Sequence, residues 1–398
     1  HLWTLSVEQQ FYLLYPLLIR QLARIFPMAS LRDESFRPQV SIILAVYNEE
    51  SVLLRCIDSL LRLDYPIDLI EIIIGSDGSS DRTNQILTEL SVAHEIILPV
   101  YFPERRGKMS VINDLAELAK GDILFFADAD ITLSANALKA QIRHFADPMI
   151  GAVAGSYRIQ VDSAAHGHAS SEKYYASHEQ NIRLNEALFC TTVGVFGGNY
   201  SIRHALWRPL PDGLVHDDTF VAYNIMDKGK RVYCEPESIS TDTYNRTLKD
   251  EFRRKSRSAS RGYHTLTFFP RLVGFAGGKN SFLLWSHKLL RWLSPFLMLT
   301  AFILSVAGLF IYAEERYFLL VLFFCTIATI TFLGWILEYL DIRVPIIRQS
   351  MWFVSMNIAY ISGTIKFLTK SDESVWSQAG RPVIDQAKFL VKEVTETK

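Results

Sequence analysis

Two aspartates, Asp128 and Asp130, follow directly on the apolar run Ile123 to Ala127. Carboxylates at i and i+2 beyond a strand can share one hard divalent cation, Mg²⁺ or Mn²⁺, with substrate phosphate oxygens completing its shell. Two more polar clusters, Tyr47-Asn48-Glu49 and Asp77-Gly78-Ser79-Ser80-Asp81, follow apolar runs in the same way. Lys108 opens a helical pattern, where its cation and the helix N-terminus together suit a diphosphate. Asp218 opens another, Thr219 to Lys228, as a carboxylate able to take a hydroxyl proton or to cap the helix. Each cluster alone equally suits a strand-to-helix turn. Three of them, in order, at strand ends, are harder to obtain from turn chemistry.

The elements that must position them alternate. Val40 to Val46 (VSIILAV) is an apolar run suited to a strand buried on both faces, and Ser51 to Leu63 is spaced as a helix closed by Pro66. A strand over Leu69 to Ile74, a helix from Asp81 to Ala93, a strand near Glu95 to Tyr101, a helix over Gly107 to Lys120 and the strand Ile123 to Ala127 continue the series. This order predicts an α/β fold, a mostly parallel Rossmann-like sheet with helices on both faces, which binds ligands at the carboxyl ends of its strands.

Other chemistries are excluded or weakened. Gly75-Ser76-Asp77-Gly78 lacks the third glycine of GxGxxG and puts an acid where phosphate would pack; Arg106-Gly107-Lys108-Met109 is not a P-loop. His166, His168 and His178 show no closing zinc spacing and read as a polar loop. Cys56, Cys190, Cys234 and Cys325 form no CxxC pair and read as buried cytosolic thiols. With 41 Lys+Arg against 42 Asp+Glu in 398 residues, nothing points to nucleic acid.

The chain turns hydrophobic beyond Arg271. Leu289 to Tyr312 and Tyr317 to Leu340 are each long enough to span a bilayer, joined by Ala313-Glu314-Glu315-Arg316 as a hairpin; Met351 to Leu368 is a weaker third candidate. Basic residues crowd between Arg246 and Arg291, which predicts a cytoplasmic N-terminal domain on a multi-pass protein of the inner (plasma) membrane. Ser286 to Trp292 reads as an interfacial helix. The chain starts with His and reads as a fragment or processed chain. Its organisation is expected as a membrane-associated helix over 1–26, a cytoplasmic domain over 38–265, interfacial and transmembrane helices over 280–368, and a polar tail over 369–398.

VSIILAVYNEE, the DGSSD turn, GKMSVIND, FFADAD, Phe196-Gly197-Gly198-Asn199 and His216-Asp217-Asp218 together resemble the family 2 glycosyltransferases, inverting GT-A enzymes that use nucleotide sugars. SHKLLRW and the spans after it resemble the membrane-bound branch that makes exopolysaccharide, chitin-like or hyaluronan-like chains. Residues 1–19 resemble a stretch of the acyltransferase-3 family, expected to persist as an N-terminal membrane segment. The glycosyltransferase resemblance implies that Tyr47, Glu49 and Asp77 hold the nucleoside, usually uridine, and that Lys108 meets the diphosphate. Asp128 and Asp130 would then be the metal-engaging DxD pair, Gly197 and Gly198 the approach to the acceptor, and Asp218 the catalytic base. Asp217, Arg257 and Arg261 belong with the acceptor or diphosphate. Aligned on Arg261-Gly262, the QxxRW of polymerising members is absent: Ala259 leaves the aromatic position empty, and Arg253, Arg254, Lys255, Arg257 and Arg261 form a basic helix.

The expectation is a membrane-anchored transferase that passes a sugar from a UDP-sugar to a glycan or lipid-linked acceptor. It would add one or a few sugars per encounter and need a polysaccharide-export partner. Single-sugar transfer to a polyprenyl phosphate and a non-catalytic export subunit are the alternatives.

Overall fold

The computed structural model describes residues 7–28, 30–160, 168–211, 214, 217–243, 248–340, 342 and 344–371. In chain order the helices are α1 (Val7–Ile25), α2 (Leu53–Leu61), α3 (Thr83–Ala93), α4 (Lys108–Leu118), α5 (Ala137–Ile142), α6 (His168–Phe189), α7 (Asp217–Asp227), α8 (Leu248–Thr267), α9 (Pro270–Val273), α10 (Lys279–Leu284), α11 (Leu290–Tyr312), α12 (Glu315–Tyr339) and α13 (Pro345–Thr369). The strands are β1 (Val40–Val46), β2 (Ile70–Asp77), β3 (Ile97–Phe102), β4 (Ile123–Ala127), β5 (Thr132–Leu133), β6 (Ile150–Gln160), β7 (Asn199–Arg203) and β8 (Arg231–Thr243).

They form one sheet in the order β3-β2-β1-β4-β7-β6-β8-β5. The first four strands of that order are parallel, as expected, but β7 runs antiparallel to both β4 and β6. The sheet is therefore mixed, with its second half built from segments whose periodicity was not read from the sequence.

The apolar runs of β1, β2 and β4 are continuous because both faces are covered. Ile43, Ala45, Ile73, Leu124 and Phe126 join one core with Val111, Ile112 and Leu115 of α4 and Phe220 and Tyr223 of α7. Their neighbours Ile42, Leu44, Val46, Ile72, Ile74 and Phe125 join the other, with α2, α3 and α5. Each fully buried side chain of this size contributes roughly 1.5–3 kcal/mol.

The helix Lys279–Tyr312, which runs from α10 through a π-helical turn (Trp285–Leu289) into α11, and the helix Glu315–Leu337 are long and apolar enough to cross a membrane. Their outer faces expose Leu297, Ile303, Phe310, Phe323 and Trp335. The third helix, α13, lies against α8. A Cβ added at Gly363 would sit 2.8 Å from the Ala259 Cβ, so the two backbones nearly touch.

Four expectations change here, the first being that His168 and His178, read as part of a polar loop, lie on α6. Ser286 to Trp292 does not turn its cations and aromatics outward: His287 is buried between Glu179 and Glu186, and Trp292 packs on Gly262. The basic helix α8 is not a uniformly cationic surface either, because Lys255 is buried and Arg254 pairs with Glu251 at 2.7 Å. Of the four free thiols only Cys56 and Cys234 are buried, whereas Cys325 is exposed on α12. His166, His216 and residues 372–398 of the expected tail lie outside the described residues, as does the start of the acyltransferase-like stretch.

Candidate functional site

Strand register decides which side chains meet. In the parallel pairs Leu44 lies opposite Ala127 and Val46 opposite Ser76, so Tyr47, Asp77 and Asp128 all emerge at one edge of the sheet. Because β7 is antiparallel to β4, with Asn199 opposite Ala127, the residues just before Asn199 arrive at that same edge. This is why Gly197 and Gly198 stand beside Asp128. A Cβ at Gly198 would come 3.3 Å from Asp128 Oδ2, and one at Gly197 would come 3.7 Å from Asp218 Oδ2. Asn199 is fixed beneath them: its amide donates to the Ser156 and Ser238 carbonyls and accepts from the Gln141 amide at 2.7 Å.

The Lys108 ammonium is the centre of the cluster. It donates to Asp128 Oδ1 at 2.8 Å and lies 3.6 Å from Asp217 Oδ2. Burial works against its charge, but the carboxylates of Asp128, Asp217 and Asp218 outweigh it and hold its pKa above the usual lysine value. Asp217 is buried at the start of α7, and the Tyr200 hydroxyl donates to it at 3.4 Å. Burial pushes its carboxyl up to about 6, Lys108 opposing and Asp218 and Asp128 adding to the rise. Asp218, the next residue, is half-buried, with one oxygen receiving the Thr219 N–H at 2.6 Å and the other facing Gly197.

At the other end, two loops are knitted together. Asn48, at φ +52°, accepts the Ser80 N–H at 2.8 Å, and the Glu49 N–H donates to Thr83 Oγ1 at 2.8 Å. Asp77 accepts the N–H groups of Arg106 at 2.6 Å and Gly107 at 2.8 Å, and so fixes the segment that delivers Lys108. Gly78, at φ +67°, is required: a Cβ there would meet the Arg105 nitrogen at 2.9 Å. The Arg105 guanidinium lies 4.1 Å above the Tyr47 ring, a cation–π pair. Arg105 and Tyr200 were not singled out in the sequence; neither lies in a motif, and only tertiary packing brings them here.

Asp130 follows Asp128 at the same edge, its carbonyl held by Arg55 at 3.1 Å. Among the described residues no three His, Cys, Asp or Glu side chains converge as a complete metal cage. Two aspartates fit a cation that takes its remaining oxygens from a diphosphate. Arg257 and Arg261 stand about one turn apart and half-buried on α8. Two aromatics further along the chain, Tyr263 and Trp207, are engaged in packing rather than offered to a sugar ring: Tyr263 against Trp292 at 5.0 Å and Trp207 on Phe126 at 5.2 Å.

Known proteins resemble this chain in sequence and in fold. Residues 41–205 match the model of glycosyl transferase family 2. A probable glycosyltransferase, YdaM of Bacillus subtilis (strain 168), is 26% identical over 238 residues, covering 56% of this chain and 54% of that protein. The poly-beta-1,6-N-acetyl-D-glucosamine synthase of Staphylococcus aureus (strain COL) is 27% identical over 235 residues, 57% of this chain and 55% of its own length. The chain thus spans about half the length of the curated relatives it matches. Among solved structures, the mannosyltransferase PcManGT from Pyrobaculum calidifontis, in complex with GDP-Man and Mn²⁺, superposes with a TM-score of 0.68 at 20% identity. That match covers 91% of this chain and 96% of the other, and shows a shared fold. The acyltransferase-3 likeness of residues 1–19 lies outside the family match, and α1 instead packs on α6. Residues 41–205 thus match a family 2 glycosyltransferase domain, in a chain with a GT-A-like fold and helices able to cross a membrane.

Proposed function

We propose that this chain is a membrane-anchored, inverting glycosyltransferase that moves a sugar from a UDP-sugar to a glycan or lipid-linked acceptor of envelope or exopolysaccharide synthesis. The observation that carries the proposal is the meeting of Lys108, Asp128, Asp217, Asp218 and the Gly197-Gly198 backbone at one sheet edge. Tyr47, Glu49 and Asp77 form the nucleoside end. Lys108 and the start of α4 meet the diphosphate, where their positive charge stabilises the leaving group. Asp128 and Asp130 hold a divalent cation, Mg²⁺ or Mn²⁺, which when bound supplies further positive charge against the diphosphate. The relative PcManGT carries Mn²⁺ with its nucleotide sugar, which supports this assignment.

Asp218 is the base. As the acceptor hydroxyl attacks the anomeric carbon, its proton passes to the free Asp218 oxygen beside Gly197, the new glycosidic bond forms, and the bond to the diphosphate breaks. Gly197 and Gly198 leave room for the acceptor there, since side chains would fill the gap between Asp128 and Asp218. Asp217, buried and tied to Lys108, serves to orient that lysine. Arg257 and Arg261 stand ready for a phosphate on the acceptor side.

The domain faces the cytoplasm of the inner membrane, with α1 against the bilayer surface through the exposed Leu14, Leu17, Leu18 and Ile25. Ala259 is fully buried under α13, leaving no room for an aromatic platform at the QxxRW position. This favours addition of one or a few sugars, with an export partner handling longer chains. A donor screen in detergent tests the whole reading by measuring nucleotide release across UDP- and GDP-sugars, with and without EDTA. Release from a UDP-sugar, lost on chelation and restored by Mn²⁺ or Mg²⁺, is expected. Release from none of them, or release indifferent to EDTA, would count against it.

A further inference from the structure

The chemistry above leaves unused a group of charged side chains buried between α1, α6 and the π-helical turn. Glu186 of α6 is fully buried, and four groups converge on it. The Tyr15 hydroxyl of α1 donates to Oε1 at 2.6 Å, and His287 Nδ1 stands 2.7 Å from the same oxygen. Thr192 Oγ1 donates to Oε2 at 3.1 Å, and the Val193 N–H does so at 3.4 Å. The other ring nitrogen of His287, Nε2, lies 3.0 Å from Glu179 Oε1; Arg183, Lys288 and Arg291 surround Glu179 at 3.6–3.7 Å.

A buried carboxylate is a costly way to join helices that apolar contacts could join, so the link calls for a use. Its two oxygens face different parts of the molecule. One is held by α1 and by the turn that leads into α11; the other holds Thr192 and Val193. Thr192 is fixed from its far side as well, its N–H donating to the Val232 carbonyl at 3.0 Å. Only three residues lie between Val193 and Gly197. The π-helical turn matters because its altered residues-per-turn aims His287 inward at both glutamates, and such turns recur at functional sites.

We propose that His287 and Glu186 are a positioning pair that sets the Gly197-Gly198 segment against the acceptor, so that the seating of the first membrane-spanning helix governs transfer rather than donor chemistry. This rests on the acceptor reading of Gly197 and Gly198 given above. Neither residue touches a substrate; both act through the 191–198 segment.

The two ring nitrogens of His287 can be separated chemically. An asparagine amide reaches about where Nδ1 lies and keeps the link to Glu186; a glutamine amide reaches about where Nε2 lies and keeps the link to Glu179. The full-length chain in detergent is compared with His287→Ala, His287→Asn and His287→Gln. Amide hydrogen exchange of residues 191–198 is followed without substrate. UDP release from UDP-N-acetylglucosamine to water is measured beside transfer to a β-1,6-linked N-acetylglucosamine oligomer.

The alanine and glutamine variants should exchange faster over 191–198 and lose about 10- to 100-fold in transfer, the scale of a misplaced reacting group, with UDP release to water kept. Asparagine should restore both. Rescue by glutamine and not asparagine would make the link an anchor through Glu179 and overturn the proposal, as would unchanged exchange in all three variants. If the His287 variants do not fold, Tyr15→Phe, which removes one hydrogen bond to Glu186, decides by the same two readouts: faster exchange with weaker transfer supports the pair, and no change in either refutes it. A wild-type chain that releases no UDP would speak against the glycosyltransferase reading instead, while hydrogen exchange still judges the link.

Discussion

Asp217 and Asp218 are adjacent carboxylates with different surroundings, and those surroundings suit the different roles proposed for them. Asp218 keeps one oxygen toward Gly197, so Asp218→Asn should abolish turnover while nucleotide binding stays. The amide keeps the acceptor for the Thr219 N–H but takes no proton, and loss of a general base costs about 10²–10⁴ in rate. Turnover kinetics beside nucleotide titration check this, and near-normal turnover would move the base to Asp217. Asp217 offers a second test through pH. Burial raises its carboxyl from 3.8 to about 6, so over that interval the folded protein keeps a proton that the unfolded chain has released. Its contribution therefore makes stability fall as pH rises from 3.8 toward about 6, while Lys108 stays charged throughout. In Asp217→Asn this contribution is gone, so Tm followed across the same interval should decline less steeply with rising pH than in the wild type. An identical slope would place the proton on another group.

At the scale of elements, the contact between α8 and α13 is the consequential one. Ser256 and Ala259 of α8 lie against Gly363 of α13, and Ser256 Oγ donates to Ser362 Oγ at 3.2 Å. Small residues let these helices approach closely, and the approach removes the space an aromatic side chain would need. Ala259→Trp should thus destabilise the chain by about 1–3 kcal/mol or more, the usual cost of overpacking. It should not lengthen the product. Thermal unfolding in detergent together with product sizing separates this from the alternative: a stable variant that makes longer chains would mean α13 yields readily to an acceptor platform.

For the whole molecule, the apolar hairpin of α11 and α12 and the apolar face of α1 lie on elements that contact one another, beside the transferase domain. The expected product of the purified chain is accordingly short, a few sugars at most. Radiolabelled product resolved by size would show this directly; long polymer from the chain alone would require a platform elsewhere. The same architecture predicts that the protein stays with membranes through high salt and alkaline carbonate and leaves them in detergent.

Much of this was written locally. The β1, β2 and β4 strands are legible because burial on both faces demands unbroken apolar runs, and a helix start at Lys108, and one at Asp218 that the structure moves one residue earlier to Asp217, follow from adjacent turn chemistry. Asp128, Asp130 and Lys108 were identifiable as chemical groups for the same reason: each is marked by its own type and by its place at the end of an element. The antiparallel insertion of β7 was not legible, because strand pairing is a choice among distant segments, and that choice alone carries Gly197 and Gly198 to Asp128. The direction of His287 was not legible either. As sequence, a histidine and a lysine before an apolar span suit a lipid headgroup region; in the folded chain they meet Glu179 and Glu186, over a hundred positions away in sequence for His287, because α6 runs beneath that turn. Local pattern determined which residues could do chemistry, and long-range packing decided which of them face one another.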